Sequence, residues 1–249
     1  MRRTSTTSTS SASPTTSTTT SPRATRTSST TRPSTDIEVA LLGRPVAHSL
    51  SPRMQNAAFA AAGLDDWTYV ARDVAPEELE AAVREVEYAN VTAPYKLDVA
   101  RLVGSELPSV NTLVRGRGFS TDAAILSQVT TCHKVGIVGD GGAAAAFRAA
   151  LPEARVFSRR GAWPPDVHDA ELVIHATPVR DEVLFELGEG QTLIDLPYPR
   201  TATAEAAAAA GARVLDGYEV LVAQGAASFE LWTGLPAPVA AMRAALGLT

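Results

Sequence analysis

Lysine is scarce in this chain, so each lysine that it keeps is a candidate for chemistry. Of the 22 basic residues only Lys96 and Lys134 are lysines, and the others are arginines. In a sequence with this bias, an ordinary surface cation would be arginine. Lysine can be tuned to release its proton, whereas arginine stays charged in proteins. Lys96 is therefore a candidate proton donor, and a solvated helix residue is the alternative interpretation.

A glycine-rich turn is the second candidate. The segment Gly-Asp-Gly-Gly-Ala-Ala (139–144) follows an apolar strand and precedes an alanine-rich helix, which is the context that dinucleotide binding requires. Glycine allows the tight turn and the close approach of backbone to a pyrophosphate, and the helix N-terminus supplies free N–H groups. The pattern predicts cofactor binding at Gly139, Gly141, Gly142 and Ala143, with a structural glycine turn as the alternative.

The end of the next strand indicates which cofactor binds. An NAD site favours an acidic residue there, which binds the ribose 2′-hydroxyl, whereas arginine accommodates a 2′-phosphate. This strand ends in Ser158, Arg159 and Arg160, with no acid. The sequence therefore predicts NADP(H) as the cofactor, although a solvated basic loop would give the same pattern. Asp140 is unfavourable beside a pyrophosphate unless its carboxylate points away.

Five further segments carry polar residues that the glycine turn does not explain. They are GRPVAHSLSP (43–52), NVTAPYK (90–96), SVNTLV (109–114), FSTDAA (119–124) and DGYEVLVAQGAASFELWTG (216–234). Taken in this order, the chain from Leu41 to Gly234 resembles the shikimate dehydrogenase family, whose members interconvert 3-dehydroshikimate and shikimate with NADP(H). Five separate motifs make this match more specific than a lone glycine turn.

The resemblance implies roles for the matching residues. Lys96 would supply the proton that ketone reduction requires, and Asp122 would orient its ammonium group. Thr177 and Gly217 would lie beside the nicotinamide ring. A small polyhydroxylated acid needs several converging polar groups to fix its orientation. The residues implied to bind it are Ser49, Ser51, Thr92, Asn111, Tyr198 and Gln224. Helix capping by Ser51 and turn formation by Asn111 are the structural alternatives.

Some positions depart from the family pattern. Ser120 stands where the family has asparagine, Arg180 stands where a small glycine is usual, and the segments 96–111 and 122–139 are shorter than usual. These departures leave two alternatives open: a non-catalytic paralogue that binds a dinucleotide or a shikimate-like ligand, and a quinate dehydrogenase that uses NAD. The intact set of polar residues argues against the first, and the arginine pair argues against NAD.

The elements that must position these residues alternate between apolar strands and amphipathic helices. Such alternation is typical of an α/β chain whose parallel sheets are covered on both faces, and here it predicts two doubly wound lobes. Strands are expected at 37–43, 67–74, 88–94, 110–115, 134–138, 154–160, 171–178 and 192–198, with a further short strand after Gly211, helices between the strands and two terminal helices. We expect a substrate-binding catalytic domain at 37–122, completed by helices in 218–249, and a Rossmann-like NADP-binding domain at 123–217.

Bulk composition restricts the functional class. Residues 1–36 are rich in Ser, Thr and Arg and are expected to form a disordered tail, with an organelle transit peptide as the alternative. The net charge of −5 offers no general attraction to nucleic acid or anionic membrane, and no apolar run approaches the length of a membrane span. A single cysteine, Cys132, fits a reducing compartment, and the four histidines lack metal-ligand spacing. We therefore expect a soluble, cytoplasmic, metal-free monomer or homodimer that acts on a small molecule.

Overall fold

Two five-stranded sheets make up the computed structural model, which describes residues 36–130 and 132–248. The first sheet has the order β2-β1-β3-β4-β5. Its strands are β1 (Ile37–Gly43), β2 (Trp67–Asp73), β3 (Tyr88–Val91), β4 (Thr112–Val114) and β5 (Arg117–Phe119). The second sheet has the order β10-β9-β8-β6-β7. Its strands are β6 (Val135–Val138), β7 (Arg155–Phe157), β8 (Leu172–His175), β9 (Thr192–Asp195) and β10 (Arg213–Leu215).

Helices connect the strands and cover the sheets. They are α1 (Ser51–Ala61), α2 (Leu79–Glu85), α3 (Lys96–Leu102), α4 (Gly142–Ala150), α5 (Ala202–Ala209), α6 (Gly217–Thr233) and α7 (Val239–Ala245), with 3-10 turns at Pro76–Glu78 and Asp122–Gln128. No helix in the described ranges has the length and apolarity to cross a membrane. The predicted α/β class with two sheets is confirmed. The expectation for the N-terminal tail falls, except at Asp36, outside the described residues.

The first sheet is mixed, which corrects the expectation of parallel pairing throughout. All pairs of the second sheet are parallel, and β1 pairs in parallel with β2 and β3. Strand β4, however, runs antiparallel to β3 and to β5. Only Arg115 and Gly116 separate β4 from β5, and both have positive φ, of 48° and 76°. Two residues with positive φ form the tight turn of a β-hairpin. A parallel connection would need a much longer crossover, so β4 and β5 must pair antiparallel.

Both faces of each sheet are buried, as the strand patterns predict. On β1, Val39 and Leu41 face a core made with α1, α6 and α7, whereas Ala40 and Leu42 face one made with α2 and α3. The second sheet packs α5 on one face and α4 on the other. The large side chains of Met54, Phe59 and Trp232, on α1 and α6, are at most 5% exposed.

The start of α1 differs from the expectation in a way that affects the site. Ser51 is the first residue of the helix and not its N-cap; Leu50 occupies the cap position and makes no side-chain cap bond. The Ser51 N–H donates instead to Ser49 Oγ, at 3.2 Å. Pro52 is compatible with a helix that begins at Ser51, since the fixed φ of proline suits the first turn of a helix. The Ser51 hydroxyl is therefore not used for capping.

Candidate functional site

One cleft of about 560 Å³ lies where strands of both sheets end at their carboxyl termini. Open α/β sheets bind ligands at this edge, and the volume is typical of small-molecule sites. The residues expected to act in catalysis or substrate binding all line this cleft: Ser49, Ser51, Thr92, Lys96, Asn111, Asp122, Tyr198 and Gln224. The fold therefore brings together polar groups from segments that are far apart in sequence.

The central contact of the cleft joins Lys96, the first residue of α3, to Asp122. The Lys96 Nζ donates to both carboxylate oxygens, at 2.7 and 2.8 Å. The two side chains are 15% and 9% exposed. A solvated helix lysine would be much more exposed, so this geometry does not fit that interpretation of Lys96. The bidentate contact holds the ammonium group at the edge of the cleft.

Asn111 fixes the carboxylate from the other side. Its Nδ2 donates to Asp122 Oδ1 at 3.0 Å and to Thr121 Oγ1 at 2.9 Å. Its Oδ1 accepts the Thr121 N–H at 2.7 Å. The Gln224 Oε1, on α6, lies 3.5 Å from the same amide nitrogen. Asn111 is thus a buried bridge between β4 and Asp122, which a solvent-exposed turn former would not be.

A buried polar cluster below the cleft supports this arrangement and was not expected from sequence. Asn90 Nδ2 lies within 3.1 Å of Thr112 Oγ1 and Ser228 Oγ, and its Oδ1 accepts the Tyr69 hydroxyl at 2.8 Å. Burial raises the pKa of the Tyr69 phenol well above its usual value, so this group remains a donor. Ser228 lies one helical turn after Gln224 on the same face of α6, and this spacing was the available signal.

The glycine turn packs tightly against its neighbours. Gly139 has φ of +134°, and a Cβ there would lie 2.6 Å from the Ala176 carbonyl oxygen. A Cβ on Gly142, at the start of α4, would lie 2.8 Å from the Lys96 Cβ. At Gly141 a Cβ would meet nothing within 4 Å, so this position borders open space. The N-terminus of α4 therefore contacts the residue that carries the ammonium group.

The residues expected to bind cofactor divide into two groups. Gly141, Gly142, Ala143, Arg160 and Gly217 line the cleft. Gly139, Ser158, Arg159 and Thr177 are not among its lining residues.

The two arginines after β7 have different surroundings. The Arg160 guanidinium lies 3.8 Å from the Asp140 carboxylate, and both side chains are exposed. The Arg159 guanidinium lies over the Trp163 ring, 5.6 Å from its centroid. Asp140 thus turns toward Arg160, which removes part of the electrostatic objection to an acid in the glycine turn. Both arginines are exposed, and Arg160 also lines the cleft.

Contacts that the sequence did not predict join the ends of β8 and β9 and the loops that follow them. His175 Nδ1 lies 2.7 Å from Asp195 Oδ1, and His175 Nε2 lies 2.6 Å from Thr177 Oγ1. The guanidinium of Arg180 donates to the Tyr198 and Pro199 carbonyl oxygens, at 2.8 and 3.4 Å. Arg180 therefore reaches the neighbouring loop. Within the described residues, no cluster of His, Cys, Asp or Glu could hold a metal ion.

Comparison with known proteins gives a consistent result. Residues 41–112 match the Shikimate dehydrogenase substrate binding domain, and residues 217–246 match the Shikimate 5'-dehydrogenase C-terminal domain. A shikimate dehydrogenase (NADP(+)) of Halobacterium salinarum is 35% identical, over 83% of this chain and 97% of the relative. The corresponding protein of Anaeromyxobacter dehalogenans is 37% identical, over 83% and 94%.

Solved structures agree with the sequence relatives. The crystal structure of shikimate 5-dehydrogenase from Thermus thermophilus, in complex with NADP(H) and shikimate, superposes with a TM-score of 0.71 and 30% identity. That comparison covers 84% of this chain and 98% of the other. The structure of shikimate dehydrogenase from Aquifex aeolicus gives a TM-score of 0.75 at 27% identity, over 84% and 97%.

Proposed function

The chain belongs to the shikimate dehydrogenase family, and we propose that it catalyses the NADPH-dependent, reversible reduction of 3-dehydroshikimate to shikimate. The observation that carries the proposal is the Lys96–Asp122 pair, which lies in a cleft lined by every residue expected to bind the substrate. The protein is an NADP-dependent oxidoreductase, and the proposed reaction belongs to the biosynthesis of aromatic amino acids.

The side chains of the cleft divide the work between proton transfer and binding. Lys96 Nζ transfers a proton to the substrate oxygen during reduction and takes it back in the reverse direction. Asp122 and Asn111 hold that ammonium group in one orientation. Ser49, Ser51 and Tyr198 bind the carboxylate, and Thr92 and Gln224 bind the ring hydroxyls. A compound that lacks one of the substrate's polar groups would leave a polar side chain of the cleft without a hydrogen bond. The resulting loss of binding free energy makes the site selective.

The residues of the second sheet suit a dinucleotide. Gly141 borders open space beside the nine-residue helix α4, so a pyrophosphate can approach the N–H groups at the helix start. Arg159 and Arg160 are exposed cations directly after β7, and they would bind the 2′-phosphate. Thr177 and Gly217 would border the nicotinamide. When bound, the cofactor supplies the hydride, and the protein supplies position and a proton.

Each of the two proposed domains is built on one of the two sheets. We propose residues 37–122, with helices in 218–249, as the substrate-binding catalytic domain, and residues 123–217 as the NADP-binding domain. We further propose a cytoplasmic monomer or homodimer that requires neither nucleic acid nor membrane; the net charge of −5 and the single cysteine support this.

A steady-state assay of NADPH absorbance tests the function. We expect turnover with 3-dehydroshikimate, much slower turnover with 3-dehydroquinate, and a strong preference for NADPH over NADH. Preference for dehydroquinate and NADH would replace the proposal with quinate dehydrogenase. Measurable NADPH binding without turnover of either substrate would indicate a non-catalytic binding protein.

A further inference from the structure

A fully buried histidine–aspartate pair lies where β8 and β9 end, and the proposed chemistry does not use it. His175 and Asp195 are both 0% exposed, and they are register partners on neighbouring parallel strands. The His175 Nδ1 lies 2.7 Å from Asp195 Oδ1. Burying two ionisable groups is costly unless each is well hydrogen-bonded, so the partners of the pair indicate what it does.

The hydrogen bonds around the pair fix which imidazole nitrogen donates. Asp195 also accepts the Thr201 N–H and the Thr201 hydroxyl, each at 3.1 Å. A carboxylate with these donors is an acceptor for His175, so Nδ1 carries the proton. In the neutral ring Nε2 is then an acceptor, and its neighbour at 2.6 Å is the Thr177 hydroxyl. With the ring in this neutral form, the Thr177 hydroxyl donates a hydrogen bond to His175 Nε2.

This assignment limits what Thr177 can offer to a ligand. Its Oγ1 also accepts the Val179 N–H, at 3.2 Å. With its proton committed to His175, the hydroxyl has only an acceptor lone pair left. A ligand group that meets this oxygen must therefore be a donor. The carboxamide amino group of a nicotinamide is such a donor.

We propose that His175, oriented by Asp195, is a positioning residue of the cofactor site that presents Thr177 Oγ1 as an acceptor to the nicotinamide carboxamide. The proposal rests on the proposed function, because it assumes a nicotinamide cofactor. In a purely structural role, the His175–Asp195 pair would only hold β8 against β9. The two roles differ in whether the effect of His175 on cofactor binding passes through the Thr177 hydroxyl.

Fluorescence titration with NADPH, without substrate, separates these roles. His175→Asn keeps an amide donor toward Asp195 and loses the contact with Thr177. Thr177→Val removes the hydroxyl at nearly constant shape, and Thr177→Ser keeps it. We expect about a fivefold to tenfold increase in the Kd for NADPH in His175→Asn and Thr177→Val, and near wild-type binding in Thr177→Ser.

The double variant His175→Asn/Thr177→Val should bind no worse than either single variant, because both remove the same hydrogen bond. His168→Asn is the matched control, since His168 makes the same kind of contact with Asp166 at the exposed surface. Unchanged NADPH affinity in Thr177→Val, or additive losses in the double variant, would overturn the proposal. If the wild-type chain itself does not bind NADPH, the proposed function fails first.

Nitrogen NMR of the wild-type chain labelled at histidine tests the proton assignment without any variant. The expected signal for His175 is that of a neutral ring protonated at Nδ1. A ring protonated at Nε2, or at both nitrogens, would make Thr177 Oγ1 the acceptor of the His175 hydrogen bond and leave the hydroxyl proton free for a ligand, which would overturn the inference. This measurement does not depend on whether His175→Asn folds.

Discussion

At the scale of single residues, the choice of lysine at position 96 has a physical reason. A guanidinium could pair with Asp122, but it would not release a proton at neutral pH. The aliphatic part of the Lys96 side chain packs against Gly142, and its ammonium group donates a hydrogen bond to Asp122. The pair therefore combines fixed geometry with a group that can take part in proton transfer.

Replacing Lys96 should remove catalysis and leave cofactor binding. We expect Lys96→Ala to lower kcat by about 10² to 10⁴, the usual contribution of a positioned acid or base. Lys134→Ala is the matched control, because Lys134 is 60% exposed and lies 3.7 Å from Asp169, outside the cleft. Steady-state kinetics with 3-dehydroshikimate measure both. A near-normal kcat with a raised KM would make Lys96 a binding group instead.

Sequence patterns found the residues of the cleft but not the partners that hold them. Lys96, Asn111 and Asp122 stand in short motifs, and motifs of this kind can be read from one sequence. His175 and Asp195 are 20 positions apart and meet only because β8 pairs with β9 in that register. Strand order and register depend on the whole sheet, so local spacing could not predict this contact.

At the scale of elements, the starts of α3 and α4 approach each other closely at the cleft. They meet where the Gly142 backbone approaches the Lys96 Cβ, at a distance that leaves no room for a side chain. The sequence predicted the glycine turn from its strand and helix context. It did not predict which element faces the turn, because α3 and α4 belong to different sheets.

Two neighbouring alanine substitutions test this contact. Gly142→Ala should lower Tm, because overpacking costs about 1–3 kcal/mol, and it should lower kcat by displacing Lys96. Gly141→Ala is the matched variant: its Cβ meets no protein atom, so Tm should change little while NADPH binding weakens. Thermal unfolding and NADPH titration measure these effects. Equal Tm values for the two variants would show that the starts of α3 and α4 do not constrain each other.

At the scale of the whole molecule, α6 connects the cores of the two sheets. Val220 packs in a core of the second sheet, whereas Phe229 and Trp232 pack in a core of the first. Between them, Gln224 reaches the cleft. The helix therefore carries a proposed substrate-binding residue on an element that packs in both cores. The sequence places α6 with the first domain, whereas in the fold α6 contacts the cores of both sheets.

Because residues proposed to bind each of the two ligands line a single cleft, we expect the binding of NADPH and of shikimate to be coupled. NADPH and shikimate are both reduced, so they can be added together without turnover. At 100 times its Kd a ligand stabilises the fold by about 2.7 kcal/mol, which for a chain of this size raises Tm by about 5–10 °C. We expect each ligand to raise Tm and the Kd of shikimate to fall when NADPH is present. Gln224→Ala should abolish most of the shift from shikimate and keep the shift from NADPH. An identical Kd of shikimate with and without NADPH would mean that the two halves of the cleft bind independently.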